Sequence, residues 1–231
     1  MSVLDILFPK RCVGCKKGGE YICPNCFAKI SFDTQTICTV CNKPSIDGKT
    51  HPLCRTKYTL DGTFSSVAYK NIVRKLLYQL KYQPYITNLL PTISELCYEA
   101  FIQNELFTKL LKEKPVLVSI PLSPRRLRKR GYNQAELLAK ELGKRFGLDA
   151  QPVLKRVKET KPQYGLKREE RMENIKDAFG INEKLKAGSE KYKTILLVDD
   201  VLTTGSTMSE AAKTLKKAGV KEVWGVAFAK D

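Results

Sequence analysis

The segment that decides the fold class is Ile195-Leu196-Leu197-Val198-Asp199-Asp200-Val201-Leu202-Thr203-Thr204-Gly205-Ser206-Thr207. Its four leading apolar residues predict a strand buried in a parallel sheet, with Asp199 and Asp200 at the carboxyl end of that strand. Small hydroxyl residues around Gly205 then lead into a helix that is predicted from about Ser206 to Ala218. Ligands of open α/β sheets bind beyond the carboxyl ends of the strands, and we therefore expect a ligand site at this segment.

The residue types in this segment indicate a sugar phosphate. Backbone N–H groups and hydroxyls of residues 203–207 converge at a helix N-terminus, which suits a phosphate, although the lysine of a P-loop is missing. Two carboxylates beside a phosphate are poor phosphate ligands but good acceptors for sugar hydroxyls. The predicted ribose 5-phosphate site comprises Asp199, Asp200, Val201, Leu202, Thr203, Thr204, Gly205, Ser206 and Thr207.

Strand and helix patterns alternate on both sides of this segment. Further strands are predicted at 67–69, 116–120, 152–154 and 222–229, with helices at 72–80, from about 89 to 111 and from Asn133 to Phe146, before Gly147. This alternation predicts an α/β domain with a mostly parallel sheet flanked by helices. Cys97 lies in an apolar helical stretch and is predicted to be a core residue.

The N-terminal region carries seven of the eight cysteines, with the spacing of metal ligands rather than of disulfides. His51, the only histidine, stands three residues before Cys54, where a C-x-x-C knuckle would place its first thiolate. The eight ligands fall in sequence order into two sets: Cys12, Cys15, Cys23 and Cys26, then Cys38, Cys41, His51 and Cys54. An interleaved grouping of the same pairs remains open. Because protein fills every position, both zinc ions are predicted to be structural.

The composition changes after Cys54, which divides the chain into a small zinc-binding domain at residues 1–58 and an α/β domain at residues 59–231. The first segment has too little apolar material to fold by burial alone. We therefore expect the metal to supply most of its folding free energy. The N-terminus lacks the basic start and long apolar core of a signal peptide, and no run approaches the roughly 18 apolar residues of a membrane span, so a cytoplasmic location is expected.

The charge of the chain favours polyanionic or phosphorylated partners. Its 41 Lys and Arg residues against 24 Asp and Glu residues give a formal net charge of +17. A basic stretch follows the strand at 116–120, near a second carboxyl end. Its candidate residues for binding pyrophosphate or nucleic acid are Leu122, Ser123, Arg125, Arg126, Arg128, Arg130, Asn133 and Gln134.

Two resemblances follow from these motifs. The segment from Val198 to Thr207 resembles the phosphoribosyl pyrophosphate (PRPP) motif of type I phosphoribosyltransferases, whose paired acids contact the ribose hydroxyls and whose threonine-glycine loop holds the 5′-phosphate. The cysteine knuckles and the R-x-R-G-aromatic-N-Q pattern at residues 128–134 resemble the ComF family of competence proteins, as do Leu80-Lys81-Tyr82 and the loop from Lys155. His51 departs from that family, where many relatives have another cysteine.

The ComF resemblance implies a double zinc ribbon joined to a phosphoribosyltransferase-like domain. It implies two structural zinc ions, a PRPP site to which Mg²⁺ can contribute, and handling of single-stranded DNA in natural transformation with an uptake helicase and a recombination mediator. Two functions stay open: a phosphoribosyltransferase with an unknown acceptor, with residues 155–176 as a lid, and a nucleic-acid binding module. Charge favours the module, with Tyr132 or Tyr164 as a stacking surface.

Overall fold

The structure, a computed structural model, describes residues 10–82, 87–161, 165–182 and 192–231. Its strands are β1 (Gly62–Ala68), β2 (Val116–Ser119), β3 (Leu154–Arg156), β4 (Phe179–Ile181), β5 (Thr194–Leu202) and β6 (Glu222–Lys230). Its helices are α1 (Pro24–Phe27), α2 (Asn71–Lys81), α3 (Leu90–Ile102), α4 (Glu105–Lys112), α5 (Pro124–Arg130), α6 (Gln134–Phe146), α7 (Arg168–Ile175) and α8 (Ser206–Lys217). Short 3-10 helices lie at Ile46–Gly48, Pro52–Cys54 and Thr87–Leu89.

The central sheet has four strands in the order β1-β6-β5-β2, and every neighbouring pair is parallel. This confirms the predicted α/β class with a parallel sheet. The buried residues of β5 alternate between two clusters: Leu196 and Val198 pack on the side of α2, α3 and α6, while Ile195 and Leu197 pack on the side of α8. Both faces of the sheet are therefore covered by helices, which explains the continuous apolar run of β5.

The structure corrects three predicted elements. The helix expected from 89 to 111 is two helices, because the Asn104 side chain accepts a hydrogen bond from the Phe107 N–H at 2.9 Å and so begins α4. The strand expected at 152–154 begins at Leu154 and pairs antiparallel with β4, outside the main sheet. Asp199 and Asp200 lie within β5, since its pairing with β6 continues to Leu202.

Other boundaries agree closely with the sequence. Asn133 caps α6 by accepting a hydrogen bond from the Ala135 N–H at 3.1 Å, and Gly147 ends that helix in the left-handed conformation. Cys97 is fully buried, as predicted. Within the part of the chain that the structure describes, no helix has the length and apolar character that crossing a membrane requires.

The zinc-binding segment packs directly on the α/β domain. Cys12, Val13, Ile22 and Ile30 belong to the same buried cluster as Ile72 of α2. Hydrogen bonds also join the two parts: the Ala68 N–H donates to the Ser31 carbonyl at 2.9 Å, and the Thr50 N–H donates to the Asp61 carbonyl at 2.8 Å. The predicted boundary after residue 58 therefore divides elements that share one core.

Candidate functional site

A cleft of about 1150 Å³ lies at the carboxyl ends of the parallel strands. Its walls come from Tyr69 after β1, residues 120–123 after β2, residues 199–203 and 205–207 at and after the end of β5, and Asp231 after β6. The volume slightly exceeds the range of about 300–1,000 Å³ that is usual for small-molecule sites in proteins. Among the described residues, nine basic and four acidic side chains line the cleft, which gives it the charge of an anion-binding site.

The phosphate loop, residues 203–207, connects β5 to α8 at the base of this cleft. Gly205 has a φ of +76°, which an L side chain adopts only with strain, and a Cβ at this position would lie 2.7 Å from the Thr39 methyl group. Thr203, Gly205, Ser206 and Thr207 line the cleft. The Thr204 hydroxyl lies 2.7 Å from that of Ser206 and supports the loop instead.

The paired acids occupy different environments because neighbouring residues of a strand face opposite sides of the sheet. Asp200 is buried on the α2 side, where its Oδ2 lies 2.8 Å from Lys81 Nζ. The Asp200 carboxylate outweighs the effect of burial and raises the pKa of Lys81, so this pair is charged. Lys81 matches the ComF resemblance, but the sequence assigned it no role, because the contact joins residues 119 positions apart.

Asp199 is partly buried, whereas Asp200 is buried, and the Asp199 side chain lines the cleft. Burial, followed by repulsion from Asp200, raises the pKa of Asp199 from 3.8 to about 7. Its Oδ1 accepts a hydrogen bond from the Asp200 N–H at 2.8 Å. A bound cation or a hydroxyl donor would lower this pKa again, because either one stabilises the ionised carboxylate.

The basic stretch after β2 forms α5 and presents one of its faces to the cleft. Arg125, Arg126, Lys129 and Arg130 line the cleft, as helical spacing places them together. Arg128 is exposed but is not part of the cleft wall. The other predicted cleft residues of this region are divided as well: Leu122, Ser123 and Gln134 line the cleft, while Asn133 is the buried cap of α6.

Two further arginines reach the cleft from β3 and α7, and sequence reasoning assigns them no separate role. Arg171 Nη1 donates to Thr203 Oγ1 at 2.8 Å and so contacts the phosphate loop. Arg156 Nη2 donates to Thr160 Oγ1 at 2.6 Å. Burial and the neighbouring Arg126 lower the pKa of Arg156 to about 10, which leaves its charge intact at neutral pH.

Of the two stacking residues expected from the sequence, Tyr132 is not part of the cleft wall. The Tyr132 hydroxyl donates to the Leu80 carbonyl, and the side chain is half-buried. Tyr164 lies outside the described residues, as does Gln163 of the loop pattern. Exposed rings occur instead at Tyr78 of α2 and at Tyr82, directly after that helix.

The eight predicted metal ligands form two groups in the sequential order. Within each group, the ligand atoms all lie within 4.8 Å of one another: Cys12, Cys15, Cys23 and Cys26 in the first, and Cys38, Cys41, His51 and Cys54 in the second. Four such donors suit a tetrahedral zinc ion with no open position. The interleaved grouping is therefore excluded by geometry.

Local hydrogen bonds prepare each group for a cation. Burial would raise the pKa of Cys12, but backbone N–H groups, first that of Cys23, outweigh it and lower the pKa to about 6. The pKa of Cys38 is lowered to about 7 in the same way, chiefly by the Cys41 N–H against the effect of burial. In the second group, the outer His51 nitrogen, Nε2, lies 2.9 Å from the Pro44 carbonyl, which turns Nδ1 toward Cys41 at 3.2 Å.

Comparison with known proteins agrees with both parts of this description. Residues 3–56 match the double zinc ribbon domain, and residues 127–230 match the phosphoribosyl transferase domain. The chain is 39% identical over 141 residues to competence protein F of Haemophilus influenzae, covering 60% of each chain. It is 29% identical over 216 residues to competence protein ComFC of Bacillus subtilis, covering 88% of this chain and 81% of that protein.

The chain is a homologue of these competence proteins. It combines a double zinc ribbon with a phosphoribosyl transferase domain, which confirms the resemblance expected from the sequence. It is also 37% identical over 112 residues to DNA utilization protein YhgH of Salmonella typhi, covering 47% of each chain. The matches to the Haemophilus and Salmonella relatives thus span 60% and 47% of those proteins.

Proposed function

We propose that the protein binds single-stranded DNA through its phosphates in natural transformation and holds a phosphoribosyl group at the base of the same cleft. The cleft carries this proposal, because it joins a phosphate loop and a cleft-facing carboxylate to nine basic side chains. The printed names of the relatives, competence protein and DNA utilization protein, support a role in DNA handling. The ComF resemblance extends the proposal to an uptake helicase and a recombination mediator as partners.

The arginine face of α5 supplies the DNA phosphate contacts. Arg125, Arg126, Lys129 and Arg130 form a row along the cleft wall, and Arg125 and Lys129 are exposed to solvent. Guanidinium groups donate in a planar fork that matches phosphate oxygens, and their charge does not titrate near neutral pH. Binding through such contacts is insensitive to base sequence and weakens steeply with salt.

The phosphoribosyl group is assigned to residues 199–207. The phosphate loop receives the 5′-phosphate, and Asp199 accepts hydrogen bonds from the ribose hydroxyls. Mg²⁺ would suit the position beside Asp199, because burial and then repulsion from Asp200 raise the pKa of this carboxylate to about 7, and a cation would stabilise its ionised form. When bound, the ion would neutralise pyrophosphate charge, while Asp200 stays paired with Lys81.

The DNA assignment is tested by salt-dependent binding of an oligonucleotide. Four alanine substitutions at Arg125, Arg126, Arg128 and Arg130 remove the basic run, and we expect weaker binding with a smaller slope of log K against log salt, by about 0.7 per lost contact. The matched control replaces four exposed lysines outside the cleft, Lys109, Lys112, Lys140 and Lys144. An equal loss of oligonucleotide affinity in both variants would show that net charge alone, and not the arginine face of α5, is responsible.

Phosphoribosyl transfer is the second candidate, and the position of Arg171 favours it. This side chain contacts Thr203 of the phosphate loop at 2.8 Å, and with Arg126 and Arg156 it lines the same cleft as Asp199. Three such cations would stabilise a departing pyrophosphate. Turnover of PRPP with a panel of nucleobases by wild type, and no turnover by Asp199→Asn, would favour phosphoribosyl transfer as the function. If wild-type protein binds no oligonucleotide at low salt, the DNA assignment is rejected.

A further inference from the structure

Two exposed aromatic rings that the proposed function does not use lie at the C-terminal end of α2, Tyr78 within the helix and Tyr82 directly after it. Tyr78 and Tyr82 are 60% and 51% exposed, and their ring centroids lie 4.8 Å apart with an angle of 34° between the planes. Their spacing of four residues brings them together at the end of the helix. We refer to this pair as the aromatic ledge.

The aromatic ledge is continuous with the cleft. Tyr82 lines the cleft, and the Arg130 guanidinium lies over its ring at 6.0 Å from the centroid. Lys81, the preceding residue, is ion-paired with Asp200 inside the cleft at 2.8 Å. Tyr78 is not part of the cleft wall and extends the surface outward. A chain that leaves the cleft along α2 therefore meets Tyr82 first and Tyr78 next.

The surroundings of the ledge favour a polyanion with flat apolar groups. The sequence of α2 contains no acidic residue, and its exposed residues besides Tyr78 are Asn71, Arg74 and Lys75. Among the described residues from Asn71 to Tyr82, the two rings are the only exposed side chains that offer an apolar surface. The bases of a single strand need only the tyrosine rings for stacking and no apolar residues around them. The phosphates of the same strand are attracted to cations such as Arg74 and Arg130.

We propose that the aromatic ledge is a base-stacking platform for single-stranded DNA. The two rings pack against each other, so bases stack on the outer faces of the pair while the backbone runs along the arginine face of α5. This inference rests on the proposed DNA function and adds the residues that read the bases. Stacking on a ring requires no hydrogen-bond pattern, so the platform accepts every base and rejects duplex DNA, whose bases are already stacked.

The test compares binding of a labelled oligothymidylate of about 20 nucleotides by fluorescence anisotropy in three variants. Tyr78→Ala/Tyr82→Ala removes both rings, and we expect binding at least about tenfold weaker, because stacking contributes roughly 5- to 150-fold per base. Tyr78→Phe/Tyr82→Phe keeps the rings and should bind as tightly as wild type. Tyr58→Ala is the matched control, since Tyr58 is 39% exposed and also has a lysine, Lys57, over its ring at 5.7 Å.

Two further readouts separate stacking from charge. The slope of log K against log salt should be unchanged in Tyr78→Ala/Tyr82→Ala, because no phosphate contact is removed. An abasic oligonucleotide of the same length should bind wild type and this variant equally. If the variant loses as much affinity for the abasic probe as for oligothymidylate, the platform is overturned. Tighter binding of oligouridylate than of oligothymidylate by wild type overturns the assignment to DNA.

The outcomes also separate this inference from the function on which it rests. If wild type binds oligothymidylate and the alanine variant binds it equally well, the ledge is rejected while the DNA function stands. If wild type binds no oligonucleotide at low salt, both are rejected. Circular dichroism and the unfolding temperature should be unchanged in the variants, since both tyrosines are largely exposed.

Discussion

Asp199 and Asp200 show how adjacent residues of one strand acquire different roles. A family motif treats the two acids as equivalent, but the pleat of β5 turns them toward opposite sides of the sheet. Both acids line the cleft, but Asp200 is held by Lys81 at 2.8 Å, whereas the pKa of Asp199 is raised to about 7 by burial and by Asp200. The charge of Asp199 is therefore the one that a ligand can change.

The raised pKa of Asp199 predicts a pH-dependent stability. Between about pH 4 and pH 7, the folded protein keeps a proton that the unfolded chain has released, so the free energy of unfolding falls as pH rises through this window. Asp199→Asn removes this loss, and we expect the variant to exceed wild type by about 1–3 kcal/mol at pH 8 and to equal it near pH 4. Urea unfolding of both proteins at these pH values measures the difference. If the free energy of unfolding had the same pH dependence in both proteins, the raised pKa of Asp199 would be contradicted.

Lys81 is predicted to be needed for the fold of the cleft as well as for its charge. Lys81→Met leaves Asp200 buried beside Asp199 without a cation, and we expect a loss of about 3 kcal/mol in the free energy of unfolding. Lys81→Met/Asp200→Asn should recover most of that loss, because no unpaired charge remains. Lys140→Met is the control, since Lys140 forms only an exposed ion pair with Glu136. A double variant as unstable as Lys81→Met would show that packing, not charge, is lost.

At the scale of elements, the sequence predicts what local chemistry determines. The cap at Asn133, the stop at Gly147 and the zinc ligands depend on residues close together in the chain, and each agrees with the structure. The break at Asn104 was missed because apolar periodicity continues across it. The contact between Lys81 and Asp200 was missed because only the order of the strands brings α2 over the end of β5.

The second zinc group is connected to the phosphate loop through α7. Arg168 Nη2 donates to the carbonyls of Thr39 at 3.0 Å and Val40 at 2.5 Å, within the knuckle between Cys38 and Cys41. The Thr39 methyl group lies where a Cβ of Gly205 would clash, so the knuckle packs against the loop. Loss of this knuckle should therefore loosen the loop.

This connection predicts that the two zinc groups affect ligand binding unequally. We expect Cys38→Ser to weaken binding of ribose 5-phosphate roughly tenfold, because hydrogen bonds from a charged group such as Arg168 contribute about 1.5–3 kcal/mol. Cys15→Ser, in the first group, is the control and should leave the affinity nearly unchanged. Arg168→Ala should reproduce the effect of Cys38→Ser while retaining both metals. Isothermal calorimetry measures the affinities, and equal affinities in Cys38→Ser and Cys15→Ser would refute the connection.

At the scale of the whole molecule, the zinc-binding segment is part of the core rather than an appendage. Its residues Cys12, Val13 and Ile22 are buried in one cluster with Ile72. Asp61 ties the parts together further, since its carboxylate contacts Lys216 Nζ of α8 at 2.7 Å and Arg55 of the zinc-binding segment at 3.0 Å. The sequence predicts a boundary after residue 58 from composition, but composition does not show which surfaces of the two parts pack together.

A shared core predicts that the zinc-binding segment and the α/β domain unfold together. Elemental analysis should return two zinc ions per chain, and calorimetry of the zinc-loaded protein should show one cooperative transition. Removing zinc with a chelator exposes the Cys12 and Ile22 side of the common cluster, and we expect the unfolding temperature of the whole molecule to fall by about 6–12 °C, which corresponds to roughly 3 kcal/mol for a chain of this size. Trp224, buried on β6 at 5.5 Å from the Phe64 ring, reports the α/β domain by its fluorescence, and far-ultraviolet circular dichroism reports the whole chain. If chelation left the tryptophan transition at its original temperature, the zinc-binding segment would fold and unfold on its own, despite the buried contacts that join it to α2.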